Sequence, residues 1–387
     1  MHRIPRRVMV AMSGGVDSSV TAALLKQQGH NVQGIYMRNW DTSDERGVCT
    51  SQQDWEDVQR VCDQLAIPCR QVNFVKEYWN EVFEQTLNDY ARGLTPNPDI
   101  QCNQHIKFGS LLAQVPPDTW LATGHYCRTD SHGRLLRGRD RHKDQSYFLS
   151  AVHQDALRRT MFPLGEFESK AQVKNLATEL GLHNVAKKRE SYGICFVGQR
   201  RRFADFLAEY IDQPPGPAID LDSGIVIGEH RGLYGYTIGQ ASGICHGPHK
   251  WYVANKSMDD NTLLCVAGSD HPALFHSACH ARDWIWIHGH PPVNLTNGQR
   301  LLVDVQVRYR MKPEKALVSL SKDNPNHCHV QFIDPIRALA PGQQVVIYLD
   351  DWCLGGGIID DITVASSSSS SALSSLSSSS SSSSSSM

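Results

Sequence analysis

The chain has 387 residues with a formal net charge of −2, and 40% of its residues are hydrophobic. At roughly 150 residues per domain, this length predicts two or three domains and excludes a single small binding module. The 11 cysteines are odd in number and scattered, which argues against a disulfide framework. They include no C-x-x-C pair, which argues against a zinc ribbon, a ferredoxin-type cluster and a thioredoxin motif.

The first 125 residues alternate between predicted strands and predicted helices. The strands cover 8–12, 31–37, 69–74 and 120–123, and the helices cover 16–28, 54–65 and 78–92. This alternation is typical of a parallel sheet with helices on both faces. Ligands bind at the carboxyl ends of the strands in such sheets, so we expect the loops after Met12, Met37 and Thr123 to share one crevice.

The loop after the first strand reads S-G-G-V-D-S over residues 13–18. Its glycines let backbone N–H groups turn toward an anion, and the following helix presents the positive end of its dipole. A glycine pair after a strand is often only a tight turn. The whole segment, lying between a strand and a helix, instead predicts a pyrophosphate site that needs no lysine.

Two segments carry clustered positive charge. Residues 128–143 contain six basic residues and two acids, and residues 187–202 contain six basic residues and one acid. Each cluster alone is equally typical of a solvated surface. Because both flank chemical motifs, we predict a polyanionic partner.

The pattern changes after Gly198. A short helix is predicted at 203–210 and a linker at 214–217, and from Ile219 short strands alternate with glycine turns. The predicted organisation is a catalytic domain at 1–202, a small central domain at 203–276 and a C-terminal β-barrel at 277–365. The serine-rich tail, 366–387, buries no apolar surface and is predicted to be disordered.

The 13–18 loop resembles the PP-loop of ATP pyrophosphatases, which adenylate a substrate and release pyrophosphate. Nearly the whole folded chain is similar to the tRNA-specific 2-thiouridylases, with matching motifs at 95–99, 102–103, 124–126, 143–147, 193–198, 236–240, 337–343 and 353–357. Residues 39–41, 75–80 and 270–274 resemble the mitochondrial branch most. The resemblance implies an α/β protein: a Rossmann-like PP-loop domain with a parallel sheet, a small central domain and a C-terminal β-barrel.

The resemblance also implies a reaction. ATP, with Mg²⁺, would adenylate the C2 oxygen of the wobble uridine, and a cysteine persulfide would then deliver sulfur to give 2-thiouridine, AMP and pyrophosphate. The implied partners are the anticodon arm of tRNA, expected to be mitochondrial tRNAs for Lys, Glu and Gln, and a persulfide donor such as a cysteine desulfurase or a sulfur carrier.

Two cysteines receive roles from the resemblance. It assigns the persulfide to Cys195 and the nucleophile to Cys102, with a transient disulfide between them. Cys102 also precedes a predicted helix at 103–112, and a helix N-terminus favours the thiolate. Asp99 lies in a predicted loop bracketed by Pro96 and Pro98, where it is expected to orient the base or to move a proton.

The resemblance assigns contacts to three further groups. The ATP group is Ala11, Met12, Ser13, Gly14, Gly15, Val16, Asp17, Ser18, Met37 and Gly124. The target-base group is Asn97, Pro98 and Asp99, and the tRNA group is His125, Lys143, Asp144, Gln145, Arg308, Tyr309 and Gln343. Arg308 and Tyr309 lie in an alternating run, 301–310, for which an ordinary exposed strand face is the alternative interpretation, and contact with RNA is favoured. No cage of protein ligands for a metal is predicted, because the clustered histidines at 271–290 lack a carboxylate or thiolate at suitable spacing.

Two other functions stay open at this point. A PP-loop ligase or amidotransferase for a small molecule would leave the two motif cysteines unexplained. A noncatalytic RNA-binding protein with a cysteine redox switch would leave the ATP loop without a purpose. No apolar run approaches the roughly 18 residues of a membrane span, so no membrane partner is predicted. Arg3, Arg6 and Arg7, together with the resemblance, predict mitochondrial import, or a cytoplasmic protein if this short segment is not an import signal.

Overall fold

The computed structural model describes residues 5–40, 50–188, 203–292, 295, 298–321, 324 and 326–365. Cys195, the basic residues at 189 and 200–202, and the serine-rich tail lie outside the described residues. The predictions that concern them therefore stay predictions.

The helices belong mainly to the N-terminal half of the chain. They are α1 (Val16–Gln27), α2 (Thr50–Gln64), α3 (Val75–Tyr78), α4 (Glu84–Ala91), α5 (Pro98–Gln101), α6 (Leu111–Ala113), α7 (Gln154–Arg158), α8 (Lys170–Glu179), α9 (His183–Ala186) and α10 (Phe203–Leu207). Two π-helical stretches, Trp79–Phe83 and Cys102–Ser110, join α3 to α4 and α5 to α6. None of the helices in the described residues is long and apolar enough to cross a membrane.

The strands form three sheets. In chain order they are β1 (Arg7–Met12), β2 (Asn31–Arg38), β3 (Cys69–Asn73), β4 (Thr119–Ala122), β5 (Cys127–Thr129), β6 (Leu135–Arg137), β7 (Thr160–Met161), β8 (Gly216–Asp220), β9 (Val226–His230), β10 (Ala241–His246), β11 (His249–Ser257), β12 (Thr262–Ala267), β13 (Phe275–Trp286), β14 (Leu301–Gln306), β15 (Glu314–Leu320), β16 (Cys328–Arg337), β17 (Gln344–Leu349) and β18 (Trp352–Val364).

The first sheet has the order β3-β2-β1-β4-β7, and all of its pairings are parallel. The predicted strand and helix alternation is therefore confirmed, with most element ends within one or two residues. Two predicted helices were too short at their starts: α2 begins at Thr50, and the segment predicted at 78–92 begins at Val75. Gly29 follows the first helix with φ +82°, the left-handed conformation that glycine commonly adopts just after a helix C-terminus.

The second sheet has the order β10-β11-β12-β8-β9 and forms the central domain. The predicted linker at 214–217 is wrong in part, because β8 already begins at Gly216 and pairs with both β9 and β12. Proline is tolerated there because Pro217 is the second residue of the strand, where one missing N–H costs little. The short helix predicted at 203–210 ends at Leu207.

The third sheet is an antiparallel barrel closed by the pairing of β13 with β18, so the predicted C-terminal β-barrel is confirmed. Sequence reasoning missed that the barrel sheet continues into the catalytic domain. The hairpin of β5 and β6 adds to its edge, where Leu136 pairs with Trp352. One hydrophobic cluster also crosses this junction, since Leu135 and Tyr147 share it with Val346 and Tyr348 of the barrel.

Candidate functional site

The loop between β1 and α1 is built to leave backbone donors open. Gly14 has φ +69°, a left-handed conformation that favours glycine, and a Cβ there would lie 2.7 Å from the carbonyl oxygen of Asp54. Gly15 is the N-cap of α1, and no side chain caps the helix. The hydroxyl of Ser18 instead accepts a hydrogen bond from the N–H of Ser13 at 3.1 Å and folds the loop over the helix start. These are features of an anion site at a helix N-terminus.

Asp17, in the first turn of α1, joins three elements. Its carboxylate accepts a hydrogen bond from the Tyr126 hydroxyl at 2.7 Å, and both of its oxygens lie 2.5 Å from Nζ of Lys170 at the start of α8. Gly124 lies against the same turn, where a Cβ would come within 2.9 Å of the Asp17 Cβ. A side chain at position 124 would therefore displace the helix start.

A second lysine contacts the loop from the other side. Nζ of Lys188 lies 3.2 Å from the carbonyl oxygen of Gly14, 2.7 Å from a carboxylate oxygen of Asp54 and 2.6 Å from one of Asp57. Burial acts to lower the pKa of Lys188, but the hydrogen bonds to the two carboxylates outweigh burial and raise it. The ammonium therefore stays charged and ties α2 to the glycine loop.

The residues predicted for ATP lie together at one edge of the first sheet. Ala11 and Met12 end β1, the 13–18 segment follows them, Met37 lies at the end of β2, and Gly124 follows β4. Since β2, β1 and β4 are adjacent and parallel, these three strands end at the same edge of the sheet, where the shared crevice is expected.

Asp99 and Cys102 lie on one helical segment that begins at Pro98. The predicted loop around Asp99 is therefore wrong: proline fits the first helical turn, where its missing N–H has no partner to lose. The helix N-terminus predicted for Cys102 is also wrong, because the Cys102 N–H already bonds inside the helix to the carbonyls of Pro98 and Asp99. Cys102 is only 6% exposed and begins the π-helical stretch, a backbone irregularity often found at functional sites.

Asp99 has a carboxyl group suited to holding a proton. Burial raises its pKa, and the charge of Lys107 offsets part of this rise. Near it, Asn103 donates to the carbonyl of Phe148 at 3.0 Å, while its own side-chain oxygen is buried without a hydrogen-bond partner among the described residues.

The loop before this helix is held by the barrel. The Thr95 N–H donates to the carbonyl of Pro341 at 2.8 Å, and the Gln343 side chain donates to the Thr95 carbonyl at 3.0 Å. Gly342, with φ +93°, packs so closely that a Cβ would lie 2.7 Å from the Thr95 nitrogen. Gln343, predicted to touch tRNA, therefore also positions the loop that leads through Asn97 into the helix beginning at Pro98.

Two other residues predicted to touch tRNA lie inside the protein. His125 is buried between Phe108 and Phe162, with its Nδ1 2.8 Å from the Thr123 hydroxyl. Burial, and then the charge of Lys107, lowers the pKa of His125 well below 6.5. Asp144 is buried as well and accepts hydrogen bonds from the N–H groups of Gly138 and Ser146. Both side chains therefore also have a structural role, and their contact with tRNA stays a prediction.

The remaining tRNA candidates lie near the junction of the two domains. Arg308 and Tyr309 follow β14 in a turn rather than ending the predicted strand. Tyr309 packs on Phe148 of the catalytic domain, with ring centroids 4.5 Å apart. Lys143 and Gln145 are partly exposed, and the Gln145 side chain accepts a hydrogen bond from the Tyr126 N–H at 3.1 Å.

Most basic side chains of the segment 128–143 have acidic partners within the protein. Five of its six basic side chains form ion pairs: Arg128 and Arg141 with Asp351, Arg134 with Asp130, Arg137 with Asp144, and Arg139 with Glu166. Arg137 also lies 3.5 Å over the ring of Tyr348. Part of this segment therefore joins the catalytic domain to the barrel, through Asp351, Gln306 and Tyr348. Its contact with tRNA stays a prediction.

Sequence reasoning missed both lysines at the glycine loop. Lys170 follows Ser169, the N-cap of α8, and lies far from the loop in sequence, so no spacing rule connects it to Asp17. Lys188 was counted only as part of a basic segment. Asp17, Asp54 and Asp57 are half-buried or buried, and a carboxylate in such a place requires a cation. A search for the cations that pair with them could have found both lysines.

Family models match three successive parts of the chain. The model described as "tRNA methyl transferase HUP domain" matches residues 6–199, "tRNA methyl transferase PRC-barrel domain" matches 204–267, and "Aminomethyltransferase beta-barrel domain" matches 276–359.

Curated relatives match almost the full length. Proteins named "tRNA-specific 2-thiouridylase MnmA" from two strains of Staphylococcus aureus, bovine RF122 and Newman, are each 45% identical over 364 residues, covering 92% of this chain and 95% of theirs. Among solved structures, "U34-tRNA thiolase NcsA from Methanococcus maripaludis with its [4Fe-4S] cluster" is 17% identical with a TM-score of 0.33, covering 54% of this chain and 64% of that one.

Proposed function

Because the chain belongs to the tRNA-specific 2-thiouridylase family, we propose that it uses ATP to replace the C2 oxygen of the wobble uridine of tRNA with sulfur. The observation that carries this proposal is the open N-terminus of α1 beside the glycine loop. Gly124 contacts Asp17 in the first turn of the same helix. This site can hold the phosphates of ATP through backbone N–H groups.

Activation comes first in the proposed reaction. The C2 carbonyl of uridine is a poor electrophile and its oxygen is a poor leaving group. Attack of that oxygen on the α-phosphorus of ATP expels pyrophosphate and leaves AMP on the base, which corrects both weaknesses. Lys170 and Lys188 lie beside the loop, where they can neutralise charge on the departing pyrophosphate.

Mg²⁺ is part of the proposal as the counterion of ATP. No three His, Cys, Asp or Glu side chains are grouped to hold a metal within the part of the chain that the structure describes. Mg²⁺ commonly binds through one or two carboxylates together with substrate phosphates, and Asp17 beside the loop fits that pattern. Lys170 and Tyr126 already bond to its oxygens, so they would share or yield the carboxylate when the metal binds.

Asp99 is proposed to handle a proton at the base. Burial raises the pKa of its carboxyl, which favours the protonated form, and the loop that the barrel fixes leads through Asn97 into the helix that carries Asp99. The target uridine must leave its stack to reach this helix, as in other enzymes that modify bases.

Sulfur transfer is proposed to use Cys195 and Cys102. A donor protein loads Cys195 as a persulfide, whose terminal sulfur attacks C2 while AMP leaves. The Cys102 thiolate then attacks the inner sulfur, the S–S bond breaks, and 2-thiouridine and a Cys102 to Cys195 disulfide remain. Two external thiols, or one dithiol, must supply two electrons to reduce that disulfide before the next cycle, and they leave as a disulfide.

The test separates the two cysteines. Purified Cys102→Ser and Cys195→Ser are treated with a labelled persulfide donor, ATP, Mg²⁺ and unmodified tRNA, and protein and RNA are examined by mass spectrometry. We expect Cys102→Ser to retain labelled sulfur at position 195 without forming product, and Cys195→Ser to retain none. Cys245→Ser, at an exposed cysteine of the central domain, is the matched control and should turn over normally.

Two results would contradict the proposal. Full turnover by Cys102→Ser, or sulfur loaded on Cys102 of Cys195→Ser, would overturn the assigned roles. Pyrophosphate release with a small molecule and no requirement for tRNA would instead indicate a ligase or an amidotransferase.

A further inference from the structure

A cavity of about 200 Å³ lies where the helical segment of Asp99 meets the barrel. Its walls come from α4, from residues 96–105 and from the barrel strands β13, β17 and β18. Pockets for drug-sized ligands measure roughly 300–1,000 Å³, so this volume suits one smaller ring system.

Unpaired carboxamides line this cavity. Gln344 is only 6% exposed, yet its side chain has no hydrogen bond within the part of the chain that the structure describes. The same holds, among the described residues, for the side chains of Gln85, Asn97 and Gln104. Of the four, Gln344 is buried, Asn97 and Gln104 are partly buried, and Gln85 is exposed. A buried carboxamide without a partner is costly, so Gln344 indicates a ligand that offers it a hydrogen bond, and the other three can add hydrogen bonds around the same space.

The direction of Gln344 follows from its strand. Side chains alternate between the two faces of β17: Val345 and Ile347 lie in the barrel core, while Val346 and Tyr348 pack on the catalytic domain. Gln344 shares the second face. The Gln344 side chain therefore lies outside the barrel core and faces the cavity between the two domains.

The lining favours a nucleobase over a phosphate or a nucleotide tail. A carboxamide presents a donor and an acceptor side by side, which matches the edge of a base. Ile100, Ile285 and Ile358 give apolar contact for the faces of a ring. No lysine or arginine lines this cavity, whose walls all lie in the described residues, whereas Asp89 and Asp283 do. Carboxylates would repel a phosphate.

The cavity is separate from the position of the modified base. Asn97, Gln101 and Gln104 line it and follow one face of the helix, while Asp99 and Cys102 do not line it. Asn97 connects the two regions, because it also belongs to the loop predicted to touch the target uridine. We propose that this cavity holds a second unpaired nucleobase from the tRNA loop that carries the target uridine, an inference that rests on the proposed function.

Binding measurements test this inference without requiring catalysis. Anticodon stem-loop RNAs, each with one abasic nucleotide in the loop, are titrated by fluorescence anisotropy against the full chain without ATP or persulfide. We expect one abasic position besides the target to weaken binding by about tenfold, the discrimination typical of a base edge read by hydrogen bonds. Gln344→Leu and Gln104→Leu should weaken binding of the intact RNA similarly and should abolish the penalty at that same position.

Gln331→Leu is the matched control, because Gln331 lies exposed on β16 of the same barrel and does not line the cavity. If both cavity variants keep the wild-type pattern of abasic penalties, or if the wild type has no such position, the inference is wrong even when thiolation is normal. Gln104→Leu decides the outcome should Gln344→Leu prove unfolded by circular dichroism. Failure of the proposed function is recognised separately, by the absence of 2-thiouridine with wild-type protein, ATP and persulfide donor.

Discussion

Two clusters of ion pairs in this protein have similar charges but different surroundings. At the glycine loop, Lys170 pairs with Asp17 and Lys188 pairs with Asp54 and Asp57, beside open backbone donors of a helix start. At the domain contact, arginines pair with Asp351 and Asp144 between the β5 and β6 hairpin and the barrel. A phosphate could compete for the lysines, whereas the second cluster is enclosed by protein on two sides. The position of an ion pair, and not the number of its charges, decides whether a ligand can use it.

The largest expected effect comes from removing Asp17. Asp17→Ala leaves Lys170 without its partner and removes the carboxylate nearest the phosphate loop, so we expect thiolation to fall by at least roughly 100-fold. Affinity for tRNA should stay nearly unchanged, because Asp17 lies in the crevice beneath Tyr126. Thiolation rates and filter binding measure the two quantities. If Asp17→Ala lost tRNA affinity as severely as thiolation, the proposal that the glycine-loop cluster serves the nucleotide and not the tRNA would be wrong.

An intermediate effect is expected at the domain contact. The side chain of Arg137 is 8% exposed, contacts Asp144 and Gln306, and lies over Tyr348. Arg137→Met removes one partner of a buried pair, which should lower the free energy of unfolding by about 3 kcal/mol. Denaturant titration followed by tryptophan fluorescence measures this.

Arg139→Met is the matched control for that variant, since the Arg139 and Glu166 side chains are both largely exposed and their pair contributes little. Equal free energies of unfolding for the two variants would show that the contact around Arg137 does not stabilise the fold.

Much of the N-terminal fold could be predicted because its signals are local. Glycines, strand periodicity and the S-G-G-V-D-S segment are read within a few residues, and the sheet order brings their loops together. The helix at Pro98 was missed because two prolines suggest a loop, although a proline also fits a first helical turn. The roles of Lys170, Arg128 and Gln343 depend on partners distant in sequence, and a charge count carries no information about such partners.

The smallest expected effect concerns pH. The pKa of folded His125 lies well below 6.5, so the unfolded chain binds a proton there that the folded chain does not. This contribution to stability is complete above about pH 6.5 and declines as the pH falls below it, by up to about 1.4 kcal/mol per pH unit. Melting temperatures of wild type and His125→Gln between pH 7.5 and 5.5 should therefore converge as the pH falls. Parallel curves would indicate that His125 titrates normally.

The shared edge between the hairpin and the barrel has a consequence for how the chain is made. Arg128 and Asp351, which pair across that edge, are 223 residues apart. At synthesis rates of roughly 5–20 residues per second, the hairpin is synthesised about 11 to 45 seconds before its partner strand. During that interval its edge and its arginines are exposed, so the nascent catalytic domain cannot reach its final form. We therefore expect chaperones to bind the nascent chain during this interval. The catalytic domain should become resistant to proteases only after the C-terminal barrel strands have been synthesised.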